Sequence, residues 1–145
     1  MAKKLKITLK HIWKKFKKTQ VIYLATIDAG KPRVRPVIMI HHDRKLWVST
    51  YTSDVKVRQI IKNPNVEFCL HLKFKKYNGY IRGFGKALII KTRPVRVKMA
   101  RAIPFFKAYW KKPDDSSFCL IQLKLRNIEY LPPGNHPKVI KLRVP

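Results

Sequence analysis

The stretch STYTSDVKVRQI, residues 49–60, sets the hydroxyls of Thr50, Thr52 and Ser53 ahead of Lys56, a lysine one turn inside what reads as a helix. A phosphate dianion is held by donors that converge on it. Hydroxyls, free amides at a helix N-terminus and an ammonium supply such a set. Arg33 and Arg35 alternate along a neighbouring segment and add two guanidiniums to one of its faces. The competing reading is structural: Ser53 caps the helix, and Lys56 and Arg58 are solvated surface charges. Composition by itself leaves both open.

Other chemistries find little support. His41 and His42 fall in a turn, while His11, His71 and His136 stand alone, so no zinc-type ligand spacing is present and no metal is expected. The acids are scattered, which leaves no carboxylate pair for acid–base work and no catalytic residue to name. Gly83-Phe84-Gly85 lies mid-strand, without the helix that must follow a Walker or dinucleotide loop. Cys69 and Cys119 sit in apolar runs without CxxC spacing and read as reduced core thiols of a cytoplasmic protein. No apolar run reaches the length of a transmembrane span. The charge is the unusual feature, 34 Lys+Arg against 7 Asp+Glu for a formal +27. Such a field attracts polyanions, anionic membranes and phosphorylated ligands. Because Trp13, Phe16, Tyr109 and Trp110 are interleaved among lysines, a basic nucleic-acid-binding module is the alternative from a different functional class.

These residues need elements to position them. Leu5, Leu9, Ile12, Trp13 and Phe16 recur at helical spacing and predict an amphipathic basic helix within residues 1–19. VIYLATI is β-rich and closes at the turn DAGKP. The returning strand, RVRPVIMI, carries Arg33, Arg35, Val37 and Met39 on one face and Val34, Pro36, Ile38 and Ile40 on the other. A turn at HHDRK and a third strand, LWVST, complete an antiparallel meander. SDVKVRQIIKNP predicts a short helix capped by Ser53 or Asp54 and ended before Pro64. VEFCLHLKF and GYIRGFGKALII form a strand pair with its turn at Asn78-Gly79, and Gly83 and Gly85 mark a bulge or a close approach. Thr92 and Pro94 open a second helix, PFFKAYW holds a third, and DDSSFCLIQLKLRNIEYL is a long strand. The Pro-rich tail, residues 132–145, reads as extended or loosely ordered, and KVIKLRV offers an edge strand. Residues 1–145 thus predict a single, mainly β domain, a six-or-more-stranded antiparallel barrel, Greek-key-like, with two to three short helices.

The order of these motifs resembles the pyridoxamine 5'-phosphate oxidase-like family of FMN-binding split β-barrels. The likeness rests on LATIDAGKPRVRPV, then LWVSTYTSDVKVRQIIKNPNVEFCL, then GYIRGFGKALI, and continues through AIPFFKAYWKKPDDSSFCLIQLKLRNIEYL, so that it covers most of residues 20–131. Its most specific part is the succession of RVRPV, the hydroxyl-rich run into Lys56, Gln59 and Ile60, and NPNV. The resemblance implies a homodimer with two FMN sites at the subunit interface. By position, Arg35 would contact phosphate or ribityl, Pro36 and Val37 would line the isoalloxazine through their backbone, and Thr50 would contact the flavin. Lys56 would neutralise the phosphate with Thr52 and Ser53 as supporting donors, while Arg33 and Tyr80 complete the set.

The chain also departs from the oxidase proper, which is longer, carries an arginine just before the helical lysine, and has C-terminal aromatic and arginine residues for its pyridoxal substrate. Here Val55 takes that arginine's place. The departure argues against vitamin B6 oxidation, not against flavin binding. A bound flavin carries the redox chemistry while the protein orients it, so an oxidoreductase of this kind needs no dedicated acid–base residue. The implied reaction class is hydride transfer from a nicotinamide or deazaflavin donor through the flavin to an acceptor. Related barrels take deazaflavin as the cofactor itself, or bind haem.

Overall fold

Alternation of side chains over two faces underlies residues 19–51. In a computed structural model, which describes residues 7–135 and 137–145, β1 (Thr19–Asp28), β2 (Lys31–His42) and β3 (Lys45–Tyr51) form an antiparallel meander. Ala29 and Gly30 (φ 49° and 77°), then Asp43 and Arg44 (53° and 57°), turn the chain with both central residues left-handed. That geometry matches the twist of the strands it joins. The helix α2 (Val55–Lys62) then carries the chain to β4 (Asn65–Phe74), which lies beside β1, the Greek-key return. β5 (Tyr77–Ile90), the helices α3 (Arg93–Ala102) and α4 (Phe106–Tyr109), β6 (Phe118–Leu131) and β7 (Ile140–Arg143) follow. Among the described residues the strand order is β3-β2-β1-β4-β5-β6-β7, and a further pairing of β3 with β6 closes the ring into a split β-barrel.

Two cores share these strands. Ile22, Leu24, Met39, Val48, Phe68, Ile81 and Ile121 fill the barrel, closed by Val57 and Ile60 of α2 and by Ile12 and Phe16 of the N-terminal segment. Ile40, Trp47, Phe118 and Leu120 point the other way and pack under Met99, Ile103, Phe106 and Trp110. Segments such as VIMI, LWV and CLI are therefore apolar on both faces, because each face meets a different core.

Two differences from expectation have physical causes. The N-terminal helix, α1, spans only Leu9–Trp13, and Leu5 lies outside the described residues. It ends early because the chain must turn at Lys14–Lys18 to enter β1, where the His41 amide donates to the Lys18 carbonyl at 2.9 Å. The β4–β5 turn falls at Lys75-Lys76 rather than at Asn78-Gly79, which pair with Lys73 and Leu72 inside the hairpin. Gly79 answers a close approach instead: a Cβ there would overlap the Leu131 carbonyl and Pro133. The bulge expected near Gly83 and Gly85 is present, between Phe84 and Gly85 against β6. The four short helices among the described residues are the N-terminal one and the three expected after it.

Candidate functional site

Local sequence dictates how α2 meets the barrel. Asp54, not Ser53, is the N-cap, its carboxylate accepting from the Lys56 amide at 3.1 Å, and Ser53 is exposed. One turn of helical spacing then buries Lys56, Val57, Gln59 and Ile60 together. Val57 and Ile60 enter the core, whereas Lys56 and Gln59, only 8% and 6% exposed, take polar partners from the strands. Burial at this level requires those partners.

Lys56 Nζ donates to Thr50 Oγ1 of β3 at 2.8 Å and pairs with Asp54 Oδ2 at 2.8 Å. Thr50 Oγ1 in turn donates to Asp54 Oδ2 at 3.3 Å. Three residues further along the helix, Gln59 Oε1 accepts from Thr26 Oγ1 at 2.6 Å and from Arg35 Nη2 at 2.8 Å. Arg35 Nη1 completes the cluster by donating to Thr26 Oγ1 at 2.8 Å and to the Leu24 carbonyl at 3.2 Å. Burial lowers the Arg35 pKa and the nearby Asp54 carboxylate partly offsets this, so the guanidinium stays charged. Two cations thus lie beside one face of α2: Lys56, which the helix itself carries, and Arg35, which Gln59 holds one turn further along.

The donor set suits an anionic oxygen. Asp54 already supplies one to Thr50 and Lys56. Burial pushes its carboxyl up, but the hydrogen bonds and charge of Lys56, with the Thr50 hydroxyl, outweigh this and hold it below the ordinary carboxylate range. A phosphate entering here would take over or share donors that are already aimed at an anion.

The remaining candidates are dispersed. Val37 lies half-buried on the same inward face of β2 as Arg35, and Arg33 is exposed opposite Thr26. Pro36 points outward, opposite Tyr23. Thr52 turns away from Lys56 and donates to the Ser116 carbonyl at 2.7 Å. Tyr80 lies on β5 between His71 and Leu131, its ring 5.8 Å from the Arg82 guanidinium. Sequence reasoning missed Thr26, Asp54 and Gln59 as members of the cluster. Their signal was polarity at positions whose periodicity points into the core. Lys56, buried as it is, does not behave as the solvated surface charge of the structural alternative.

The outer face of β1 and β2 is apolar and open. Val21, Tyr23, Val34 and Ile38 are 56%, 49%, 69% and 44% exposed. Beside it Arg82 bridges Glu67 (Nε to Oε1, 2.7 Å) and Glu129 (3.4 Å) between the rings of Tyr80 and Phe84.

Residues 9–132 match the family model described as pyridoxamine 5'-phosphate oxidase. The chain belongs to the pyridoxamine 5'-phosphate oxidase family. No curated protein matches this family member. Among solved structures it is similar to a NimC/NimA family protein from Clostridium acetobutylicum, with 26% identity, 84% of each chain covered and a TM-score of 0.67. The general stress protein 26 of Bacillus anthracis is likewise 26% identical, over 87% of this chain and 90% of that one, with a TM-score of 0.67. A pyridoxamine 5'-phosphate oxidase-related, FMN-binding protein from Nostoc punctiforme shares the fold at 18% identity, over 86% of each chain, with a TM-score of 0.64.

Proposed function

We propose that this family member binds FMN, with the phosphate at Lys56, Thr50 and Arg35, and acts as a flavin-dependent oxidoreductase in the cytoplasm. The observation that carries the reading is the buried Lys56–Thr50 pair, already closed on the carboxylate of Asp54, with the Arg35 guanidinium on the neighbouring strand. Val37 lines the same face of β2, and Pro36, Thr52, Ser53, Arg33 and Tyr80 are outlying candidates for the ribityl and ring. Flavin, when bound, supplies the two-electron redox chemistry; this chain orients it, neutralises its phosphate and limits water around it. The exposed apolar face of β1 and β2 supports a homodimer with the flavin sites at its interface. A nicotinamide or deazaflavin would serve as electron donor, and a deazaflavin in place of FMN is the variant of this reading. Val55, half-exposed beside Lys56, leaves the site one cation poorer than the resemblance implies for the oxidase proper, which supports a substrate other than pyridoxamine phosphate.

Purified protein should bind FMN with a quenched and shifted flavin spectrum. Lys56→Ala should weaken FMN binding by roughly 1.5–3 kcal/mol, the scale of a hydrogen bond to a charged group, and riboflavin binding far less. Equal loss for both ligands would remove Lys56 from the phosphate. No binding by folded protein would remove the flavin.

A further inference from the structure

We propose that the α3–α4 face is a binding surface for single-stranded nucleic acid, with Tyr109 and Tyr51 as its stacking platform. The proposal is independent of the flavin reading and rests on residues outside that site.

The aromatic residues of this region form one continuous cluster of tilted and edge-on rings that begins in the core and ends in solvent. Phe118, Phe106 and Trp110, at 1%, 4% and 3% exposure, pack with ring centroids 4.9–5.5 Å apart. Trp110 then meets Tyr109 at 5.6 Å and Tyr51 at 5.4 Å, and Tyr109 meets Tyr51 edge-on at 6.2 Å and Phe105 at 6.0 Å. Burial accounts for the first three rings. It does not account for Tyr109 and Tyr51, which stay 54% and 43% exposed. Because the rings beneath are buried and packed, the contacts of both tyrosines with Trp110 favour a fixed placement for a further flat partner.

Exposed cations accompany Tyr109 along the chain. Lys107 precedes Tyr109 by two residues, Lys111 and Lys112 follow it by two and three, Arg101 ends α3, and all four are exposed. The two nearby acids are engaged: Asp114 pairs with Arg93 at 3.1 Å, and Asp115 Oδ1 accepts from the Ser117 amide and hydroxyl at 2.9 and 2.8 Å. From Phe68 to Pro113 the chain contains no acid at all. The loop bearing Lys111 and Lys112 is fixed as well, since Arg96 donates to the carbonyls of Pro113, Asp115 and Phe118 and lies 4.6 Å over the Phe118 ring. Immobile rings flanked by unneutralised lysines are the chemistry that recognises unstacked bases on a phosphate chain. An anionic bilayer is instead met by an amphipathic helix with a broad apolar face, whereas α4 has four residues and exposes the single ring of Tyr109.

The test is fluorescence anisotropy of a labelled oligouridylate of about 12 nucleotides, within the usual site size, titrated with flavin-saturated full-length protein across a salt series. Binding should appear at low salt and weaken log-linearly. Lys107→Ala/Lys111→Ala/Lys112→Ala should lower the salt slope by about 2, three phosphates at roughly 0.7 each. Tyr109→Ala should cost about five-fold or more in affinity with the slope unchanged. The control removes the same charge at the far end of β5, Lys73→Ala/Lys75→Ala/Lys76→Ala, and should leave binding near that of the parent protein. Thermal melts of all variants report that each is folded. No binding at low salt overturns the proposal. So does a control variant as weak as the first, which would mean undirected adhesion, or binding indifferent to Tyr109 and Tyr51. Capture by phosphatidylserine vesicles without capture of the oligonucleotide would assign the surface to membranes instead.

Discussion

At the scale of single residues, Asp54 governs the candidate site in two opposed ways. It caps α2 and holds Lys56 in place, yet its carboxylate occupies the donors that a phosphate needs. Asp54→Asn keeps a capping side chain and removes the competing charge. FMN affinity should therefore rise up to about five-fold relative to riboflavin, the 0.2–1 kcal/mol scale of a partly exposed ion pair. Parallel titrations of the two ligands measure it, and an unchanged ratio would mean that Asp54 does not compete. Sequence alone identified Lys56 but not this neighbour, because Asp54 read simply as an alternative cap to Ser53. Gln59 escaped for a related reason. A glutamine among apolar helix residues gives no hint of which two strands its carbonyl oxygen will join.

At the scale of elements, one histidine adds to the core contacts of Ile12 and Phe16 that hold the N-terminal segment. His41 of β2 stacks on Trp13 at 5.8 Å and meets Phe16 edge-on at 5.7 Å, and its Nε2 is buried without a hydrogen-bond partner. Burial lowers the His41 pKa, the Phe16 carbonyl opposes this in part, and the adjacent His42 adds to it; no carboxylate faces the ring within this contact set. The folded state therefore binds its proton at lower pH than the unfolded chain does. Stability is fully present above the ordinary histidine value, about 6.5, and is lost as pH falls from there through the depressed folded value. Urea midpoints between pH 8 and pH 5 should fall for the parent protein and stay flatter for His41→Gln, and parallel curves would exonerate His41. The strands themselves were legible because alternation is a strong signal, whereas β4–β5 shows where it ends. Asn78-Gly79 carries the stronger turn chemistry, but the ladder continues through it to Lys75, which takes φ 54°. Only the C-terminal tail, crossing over Gly79, reveals what that glycine is for, and such a contact between distant segments leaves no local mark.

At the scale of the whole molecule, two surfaces divide the roles. The apolar face of β1 and β2 is the self-association surface under the proposed function, and Val34→Glu/Ile38→Glu should yield monomers by light scattering, with flavin affinity falling at the same time. A monomer that still binds flavin tightly would detach the site from the interface. The excess of lysines lies elsewhere, and the fold silences most of the opposing charge by pairing Asp43 with Lys98, Asp54 with Lys56, Glu67 and Glu129 with Arg82, and Asp114 with Arg93. The ring closure has a bearing on biogenesis. β3 finds its second neighbour only in β6, where Thr50 lies opposite Cys119. During synthesis the first five strands can pair as they emerge, while β3 keeps a raw edge until residues 118–123 are made and β5 until residues 120–131 are made. A nascent chain stopped before Phe118 therefore carries Lys56 but lacks the strand that pairs with Thr50. Under the proposed function, FMN capture would wait for β6, which acts as the latch on that donor.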